Sequence, residues 1–294
     1  MSKAKTPTLR QFQDRFPTEE VCLDHLMQTR YGSPHQCEKC DREAKFYRVT
    51  KRRSYACEWC GHQVFPTAGT PFDRTRTPLR DWFYVMFLFT TTRNGVAAKR
   101  VERELGVTYK TAWRMCHQIR AYMASVDGNP PLGGSGGVVE IDETIFGGAV
   151  KGKGKGPHIA EKTVILGMLE RDGDLITQVI PNTRRVSVLP HVTANVAAGS
   201  TVHTDGAYCY DPLRSHGYRH STVNHHIGEH VAPCGAHVQT IEGFWAMLKR
   251  GINGTHIHVS QKHLPKYLGE FEYRWNMRQV PHLMLDRMLA SFQR

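Results

Sequence analysis

The chain lacks an apolar run long enough to cross a membrane. Its longest aromatic-aliphatic stretch, Trp82 to Phe89, falls well short of the roughly 20 residues a spanning helix needs, and reads as a core helix. No apolar h-region or small-residue cleavage site marks the N-terminus, MSKAKTPTLRQFQDRF, so export is not expected and a reducing cytoplasm is. No internal repeat is present. Acidic residues are in deficit: 27 Asp+Glu against 39 Lys+Arg give a formal charge of +12 before the 17 His are counted. A basic excess does not specify a fold, but it favours polyanionic partners. With no amphipathic basic helix to lie on a lipid surface, nucleic acid fits better than membrane.

At 294 residues the chain suggests about two compact units with a small accessory module. A hydrophobic share of 40% supplies a core and excludes a wholly disordered tail protein. Cysteines are few, but four of the 8 fall in two Cys-x-x-Cys pairs, Cys37/Cys40 and Cys57/Cys60, separated by 16 residues. In a reducing compartment this spacing points to two knuckles sharing one structural Zn²⁺ rather than to disulfides. Thiolates close such a site, and the metal supplies folding energy that a small module lacks. Between the knuckles Arg42, Lys45, Arg48, Lys51, Arg52 and Arg53 interleave with Phe46, Tyr47 and Val49, as on a β-ribbon with a basic face. The bland alternative is a zinc clip with solvated charges. Cys22, Cys116, Cys209 and Cys234 have no paired spacing and read as ordinary thiols.

The first 30 residues carry a helical pattern at Phe16, Val21, Cys22, Leu23, Leu26 and Met27. Thr77 as N-cap and Pro78 as first helical residue open a helix through Thr90. In VAAKRVERELGVTYKTAWRMCHQIR an Ala-rich helix, a break at Leu105-Gly106-Val107 and a second helix from Thr108 suggest a helix-turn-helix. Its second helix would offer Thr108, Tyr109, Lys110 and Arg114 to a major groove; an ordinary helical hairpin is the plainer reading. A Gly-rich linker spans 127–137. Beyond it the period shifts to two, with strands expected at Val138–Thr144, Thr163–Glu170, Leu175–Ile180, Thr201–Asp205 and Arg219–Asn224. Helices are expected at about Ser187–Ala197, at Val238–Arg250, and from Gln261 or His263 to Asn276. This alternation indicates a mixed α/β sheet with flanking helices.

Three acids stand out. Asp142 lies within the apolar strand VVEIDETIF, where a carboxylate is costly unless it pairs or binds a cation. Glu140 shares its face; Glu143 points the other way. Asp205 ends the strand TVHTD, and Glu242 sits on a helix seven residues before Lys249 and on the same face. Two strand-borne Asp and a helix-borne Glu suit a site for two Mg²⁺ or Mn²⁺ ions acting in phosphoryl transfer, separate from the zinc. Lys249 could hold a phosphate nearby.

The four-cysteine ribbon, VEIDETIFGG, KGKGKG, VHTDGAYCY and TIEGFWAMLKRGINGTHIHVSQKHLPKYLGEFEYRWNMR together resemble insertion-sequence DDE transposases of the zinc-ribbon, ISXO-like group, over about residues 17–280. The resemblance implies an RNase H-like catalytic domain with Asp142, Asp205 and Glu242 as the metal-binding triad and Lys249 as the basic residue that follows it. It implies hydrolysis at transposon ends and attack of the freed 3′-hydroxyl on target DNA. Ile145 where Tyr is usual and Gln239 where Asn is usual depart from the group's pattern without touching the triad.

The expected organisation is 1–70 N-terminal helix and zinc ribbon, 71–126 helical DNA-binding region, 127–137 linker and 138–294 catalytic domain with a C-terminal helix. The partners expected are double-stranded DNA, at transposon ends and at the target, and a second copy of the chain, at least as a dimer on DNA. The setting would be a bacterial cytoplasm, beside the nucleoid. Lys151, Lys153 and Lys155, alternating with glycine, read either as phosphate contacts on a hairpin tip or as a solvated loop. His225, His226, His230 and His237 read as surface or DNA-proximal, His256, His258 and His263 as phosphate or structural partners, and Phe271, Tyr273, Trp275 and Met277 as packing residues. Rival readings are a catalytically silent DNA-binding regulator and a structure-specific nuclease of the same fold.

Overall fold

The computed structural model describes residues 6–128, 130–147, 162–224 and 228–292. They divide into two units: one comprises the chain up to Thr92, Val96–Val126 and the chain from Met277 onward, the other Arg93–Gly95 and Asp127–Asn276.

The first unit opens with α1 (Leu9–Arg15) and α2 (Glu19–Tyr31). The single N-terminal helical pattern is thus two helices. Pro17 disfavours helical geometry at Phe16, which sits at φ −127° and closes α1. Thr18 then caps α2 by accepting the Val21 N–H, and Glu19 and Glu20 complement the helix dipole in its first turn. Short strands follow: β1 (His35–Gln36) pairs with β2 (Glu43–Ala44), while β3 (Phe46–Arg48), β4 (Tyr55–Cys57) and β5 (Gln63–Val64) form an antiparallel three-stranded sheet.

Helix α3 (Leu79–Thr91) begins one residue later than the sequence suggests, with Pro78 as N-cap and no side-chain cap from Thr77. The free N–H groups go instead to Glu19 Oε2, at 2.6 Å from Leu79 and 3.4 Å from Arg80. Trp82, Phe83, Val85, Met86, Phe87, Leu88 and Phe89 are all buried, as in a helix that is core on every side. Helices α4 (Ala98–Leu105) and α5 (Tyr109–Asp127) follow around a turn at Gly106.

In the second unit the expected strands form one mixed sheet. β6 (Leu132–Gly133) precedes β7 (Val138–Phe146), β8 (Thr163–Glu170) and β9 (Leu175–Ile180); then come α6 (Arg185–Asn195), β10 (Val196–Ala197), β11 (Thr201–Asp205) and β12 (Arg219–Val223). The five long strands run in the order β12-β11-β7-β8-β9. β7, β8 and β9 are antiparallel, while β11 is parallel to β7 and β12 parallel to β11. β8 is buried along almost its whole length, so its residues serve both faces in alternation. Val164, Leu166 and Met168 pack with α6 residues Val188 and Val192. Ile165 and Leu169 pack with Ile241, Phe244 and Trp245 of α7 (Gln239–Gly251) and Phe271 of α8 (Leu264–Asn276).

Three expectations differ. Helix α6 starts and stops two residues earlier than read, because Val196 and Ala197 leave it to pair with β6. The Gly-rich segment is not merely a tether. Leu132 is buried, and a Cβ on Gly133 (φ +79°) would lie 2.4 Å from Ser200 Oγ, so close packing demands that glycine. The chain from Met277 groups with the first unit rather than with the catalytic domain: Phe292, just past α9 (Met284–Ala290), stacks on Tyr122 at 4.8 Å, and the Tyr122 hydroxyl donates to the Met288 carbonyl.

Glu272 of α8 accepts from the Thr177 N–H at 2.7 Å and from its hydroxyl at 2.6 Å, tying α8 to β9. Burial, opposed by these bonds and reinforced by the Asp127 charge, pushes its carboxyl up to about 7. The folded state therefore favours the protonated acid, and stability falls as pH rises from the unfolded value toward 7. Glu272→Gln should raise stability at pH 8 by about 1–3 kcal/mol, a gain that shrinks on acidification and is gone below about pH 4.5, measured by urea denaturation across that range.

Candidate active site and zinc centre

The four ribbon cysteines converge. All four sulfurs lie within 4.8 Å of one another, with Cys37 Sγ 3.6 Å from Cys60 Sγ and Cys40 Sγ 3.9 Å from Cys57 Sγ. A tetrahedral zinc thiolate site with bonds of about 2.3 Å has sulfur–sulfur edges near 3.8 Å, so the donors fit the ion. Both knuckles turn alike: Asp41 (φ 51°) and Gly61 (φ 68°), each just after the second cysteine, are left-handed. His35 and His62 stand outside the cluster. Cys22, Cys116 and Cys209 are buried and Cys234 exposed, without disulfides.

The three acids come from three elements of the second unit. Asp142 is in the central strand β7. β11 pairs with β7 from Thr201–Val138 to His203–Glu140, and Asp205 and Asp142 each lie two residues beyond the last pair. The two carboxylates therefore lie at the same end of the sheet, close enough for the Asp205 charge to act on Asp142. Glu242 is in the first turn of α7. Burial pushes Asp142 up to about 6, and the negative charges of Asp205 and, more weakly, Glu242 push the same way. The structure thus brings the triad into one electrostatic neighbourhood. Among the described residues only the cysteines meet the closer 4.8 Å mutual spacing. Oxygen donors of like charge gathered in this way suit a hard divalent cation, which removes their repulsion.

What holds the acids in place was not visible in the spacing of the sequence. Trp245 Nε1 donates to Asp142 Oδ2 at 3.0 Å. The indole reaches it because Gly167, the β8 partner of Asp142, has no side chain. A Cβ there would meet the ring at 2.5 Å. Glu140, completely buried, accepts N–H bonds from Thr240 (2.9 Å) and Ile241 (3.1 Å) at the start of α7, and its other oxygen pairs with Arg171 at 3.0 Å. Arg171 in turn meets His203 Nδ1 and the His237 carbonyl. His237, expected near the surface, lies with Nδ1 3.3 Å from Glu140. Glu143 does face the other side of β7, where the buried Tyr210 hydroxyl donates to it at 2.6 Å. Burial, then the charges of Asp205 and Asp142, push Glu143 up to about 7 against that bond. A charged residue set between Val139 and Ile141 was the available signal for Glu140, and Gly within the run TVILGMLE for the indole.

Lys249 is exposed in the last turn of α7 and lines a small cavity beside the end of β7. On the ribbon, Arg48, Lys51 and Arg52 are exposed. Arg53 is engaged, pairing with Glu19 at 2.8 Å and donating to the Thr75 and Thr77 carbonyls. Sequence reasoning passed over Arg74 and Arg76, which with Arg52 and Arg53 line a cleft of about 710 Å³; the Arg-Thr-Arg triplet was the signal. On α5, Thr108 caps the helix by accepting the Thr111 N–H, Tyr109 carries the Lys99 ammonium 4.9 Å above its ring, and Lys110 is exposed. Arg114 is partly buried over Trp82. Lys151, Lys153 and Lys155, with His225 and His226, lie outside the described residues. No described helix is long and apolar enough to cross a membrane.

The chain thus combines a cysteine ribbon fit for zinc in one unit with a strand-borne acidic cluster in the other. Residues 134–276 match the ISXO2-like transposase domain, and residues 17–63 match the transposase zinc-ribbon domain. The chain thus carries a transposase zinc-ribbon domain followed by an ISXO2-like transposase domain. A relative from Halobacterium salinarum, described as an uncharacterized protein in transposable element ISH50, is 27% identical over 289 residues, covering 90% of this chain and 94% of its own.

Two outcomes follow from this geometry. Gly167→Ala should cost about 1–3 kcal/mol of stability and change the Trp245 fluorescence as the indole leaves Asp142; an unchanged emission spectrum would contradict the contact. Cys57→Ser should purify with less than one zinc per chain by atomic absorption, and chelation of the wild type should unfold the ribbon while sparing the sheet's circular dichroism.

Proposed function

We propose that the protein is a Mg²⁺- or Mn²⁺-dependent DNA transposase that binds its element's terminal repeats, cuts at the ends and joins the freed 3′-hydroxyls to target DNA. The observation that carries this reading is the electrostatic coupling of Asp142 to both Asp205 and Glu242 at one end of the sheet. Three antiparallel strands followed by two parallel ones, with acids on the first and fourth, support an RNase H-like assignment.

In this reading Asp142, Asp205 and Glu242 hold two divalent ions. Such ions, when bound, activate the attacking oxygen and stabilise the leaving one in an in-line displacement. The chain's own part is positional. The Trp245 indole fixes which Asp142 oxygen is free, and Glu140 fixes the first turn of α7 from which Glu242 projects. Lys249 meets a phosphate near the reacting bond. Water attacks first, breaking the P–O3′ bond at the element's end and leaving a 3′-hydroxyl. That hydroxyl then attacks a target phosphodiester, releasing the target's own 3′-hydroxyl.

The first unit supplies recognition. The ribbon with Arg48, Lys51 and Arg52, and the α4–α5 hairpin acting as a helix-turn-helix with Thr108, Tyr109 and Lys110, would contact end DNA, the arginine cleft adding salt-dependent affinity. Arg53 and Arg114, already engaged, would serve as supports. The domains would be 1–70, 71–126, 127–137 and 138–294, as read from the sequence, with the last helix returning to the first unit. Two ends require at least a dimer on DNA.

With a labelled end duplex and Mg²⁺, wild type should nick the end and transfer it to a plasmid, while Asp142→Asn and Asp205→Asn should lose at least about a hundredfold in both steps yet still shift the duplex. Mutants as active as wild type would sink the assignment. Nicking without transfer would make the protein a nuclease.

A further inference from the structure

Beside the proposed active site, the end of α7 leads into a π-helical turn (Ile252–His256) and then into Ile257. Ile257 has φ 63° and ψ −52°, and the His258 N–H closes a three-residue turn onto the His256 carbonyl at 2.6 Å. This γ-turn of the strained hand is rare, and a β-branched residue is among the least suited to it. Its flanks fix it. Ile252 and Val259 are buried in the core, and His256 packs edge-on against Tyr267 at 4.8 Å. The strain serves no packing purpose, because Ile257 is the most exposed large apolar residue described, at 84%.

Ile257 stands at the rim of the cavity that Lys249 lines. Among the described residues the other walls are Ile145, Phe146 and Gly147 at the end of β7, with Val259, and the polar groups are the Asn253 amide, the His258 ring and the Lys249 ammonium. Its volume is about 220 Å³, below the roughly 300–1,000 Å³ of sites for drug-sized ligands. Apolar walls, an amide that both donates and accepts, and a cation beside them match one planar heterocycle attached to a phosphate. Strained backbone that the fold over-determines clusters at such ligand clamps.

We propose that this cavity receives a single unstacked nucleobase of the end DNA, next to the phosphate being cut, and that Ile257 wedges into the stack in its place. Ile145 and Phe146 cover the base's faces, Asn253 reads its edge, and Lys249 and His258 hold its phosphate. Apolar side chains inserted between base steps kink and unstack duplexes in this way, and chemistry on a base or its linkage gains access from extrusion. The proposal rests on the transposase reading of the same site.

The test uses the full chain and end duplexes carrying 2-aminopurine at each nucleotide flanking the cleaved phosphate, with no Mg²⁺ added for the fluorescence arm. Wild type should brighten one position. Ile257→Gly, which suits a positive φ and so does not endanger folding, should bind within about threefold of wild type but brighten none, and with Mg²⁺ should cut the paired duplex at least about tenfold more slowly. A duplex abasic at the brightened position should restore the variant to the wild-type rate, which a merely structural defect would not allow. If wild type cuts the end but no position brightens, or if the glycine variant brightens it equally, the nucleobase pocket is wrong and the transposase reading stands. If wild type neither binds nor cuts end DNA, that reading fails and the pocket fails with it.

Discussion

A carboxylate with no access to water, Glu140, joins the central strand to the helix that carries the third acid. It satisfies two N–H groups that α7 cannot satisfy within itself, and its other oxygen is neutralised by Arg171. Removing one partner of such a pair costs about 3–5 kcal/mol, because the other is left charged and desolvated. The geometry is therefore held by an interaction that is expensive to break and specific in direction. Were α7 to rotate or slide, Glu242 and Trp245 would move together, and Asp142 would lose both a neighbouring charge and its hydrogen bond.

A division of labour on β7 follows. Glu140 positions the helix, Asp142 takes the Trp245 indole bond beside the charges of Asp205 and Glu242, and Glu143 turns to the opposite side to anchor the segment after β11 through Tyr210. Three acids within four residues thus do three different things because the strand alternates and because each meets a different partner. Burial first, and the neighbouring negative charges after it, push Asp142 and Glu143 upward, so the strand holds these carboxylates at a cost.

Much of this was legible beforehand. The two Cys-x-x-Cys pairs specified the ribbon, since spacing alone fixes which sulfurs can share an ion, and the period-two segments located all five long strands. Asp142 stood out by its place between apolar residues of one strand, and the structure sets the charges of Asp205 and Glu242 near it. What stayed hidden was long-range. No local pattern shows that Gly167 leaves room for Trp245, that Glu19 closes the end of α3 from 60 residues away, or that Arg53 and Arg114 are occupied by the protein itself. Basic residues look alike in a sequence whether they face a phosphate or a carbonyl. The split of the N-terminal helix at Pro17 was readable in principle, but apolar periodicity on both sides concealed it.

The two units are not consecutive blocks of chain. Arg93–Gly95 belongs to the second unit although the residues on either side belong to the first, and after Asn276 the polypeptide returns to the first. Exchanging the first unit between related genes therefore requires more than one crossover point. A recombination that swapped only the N-terminal third would leave the terminal helix without its native surroundings, so inheritance of this architecture should favour the gene travelling whole.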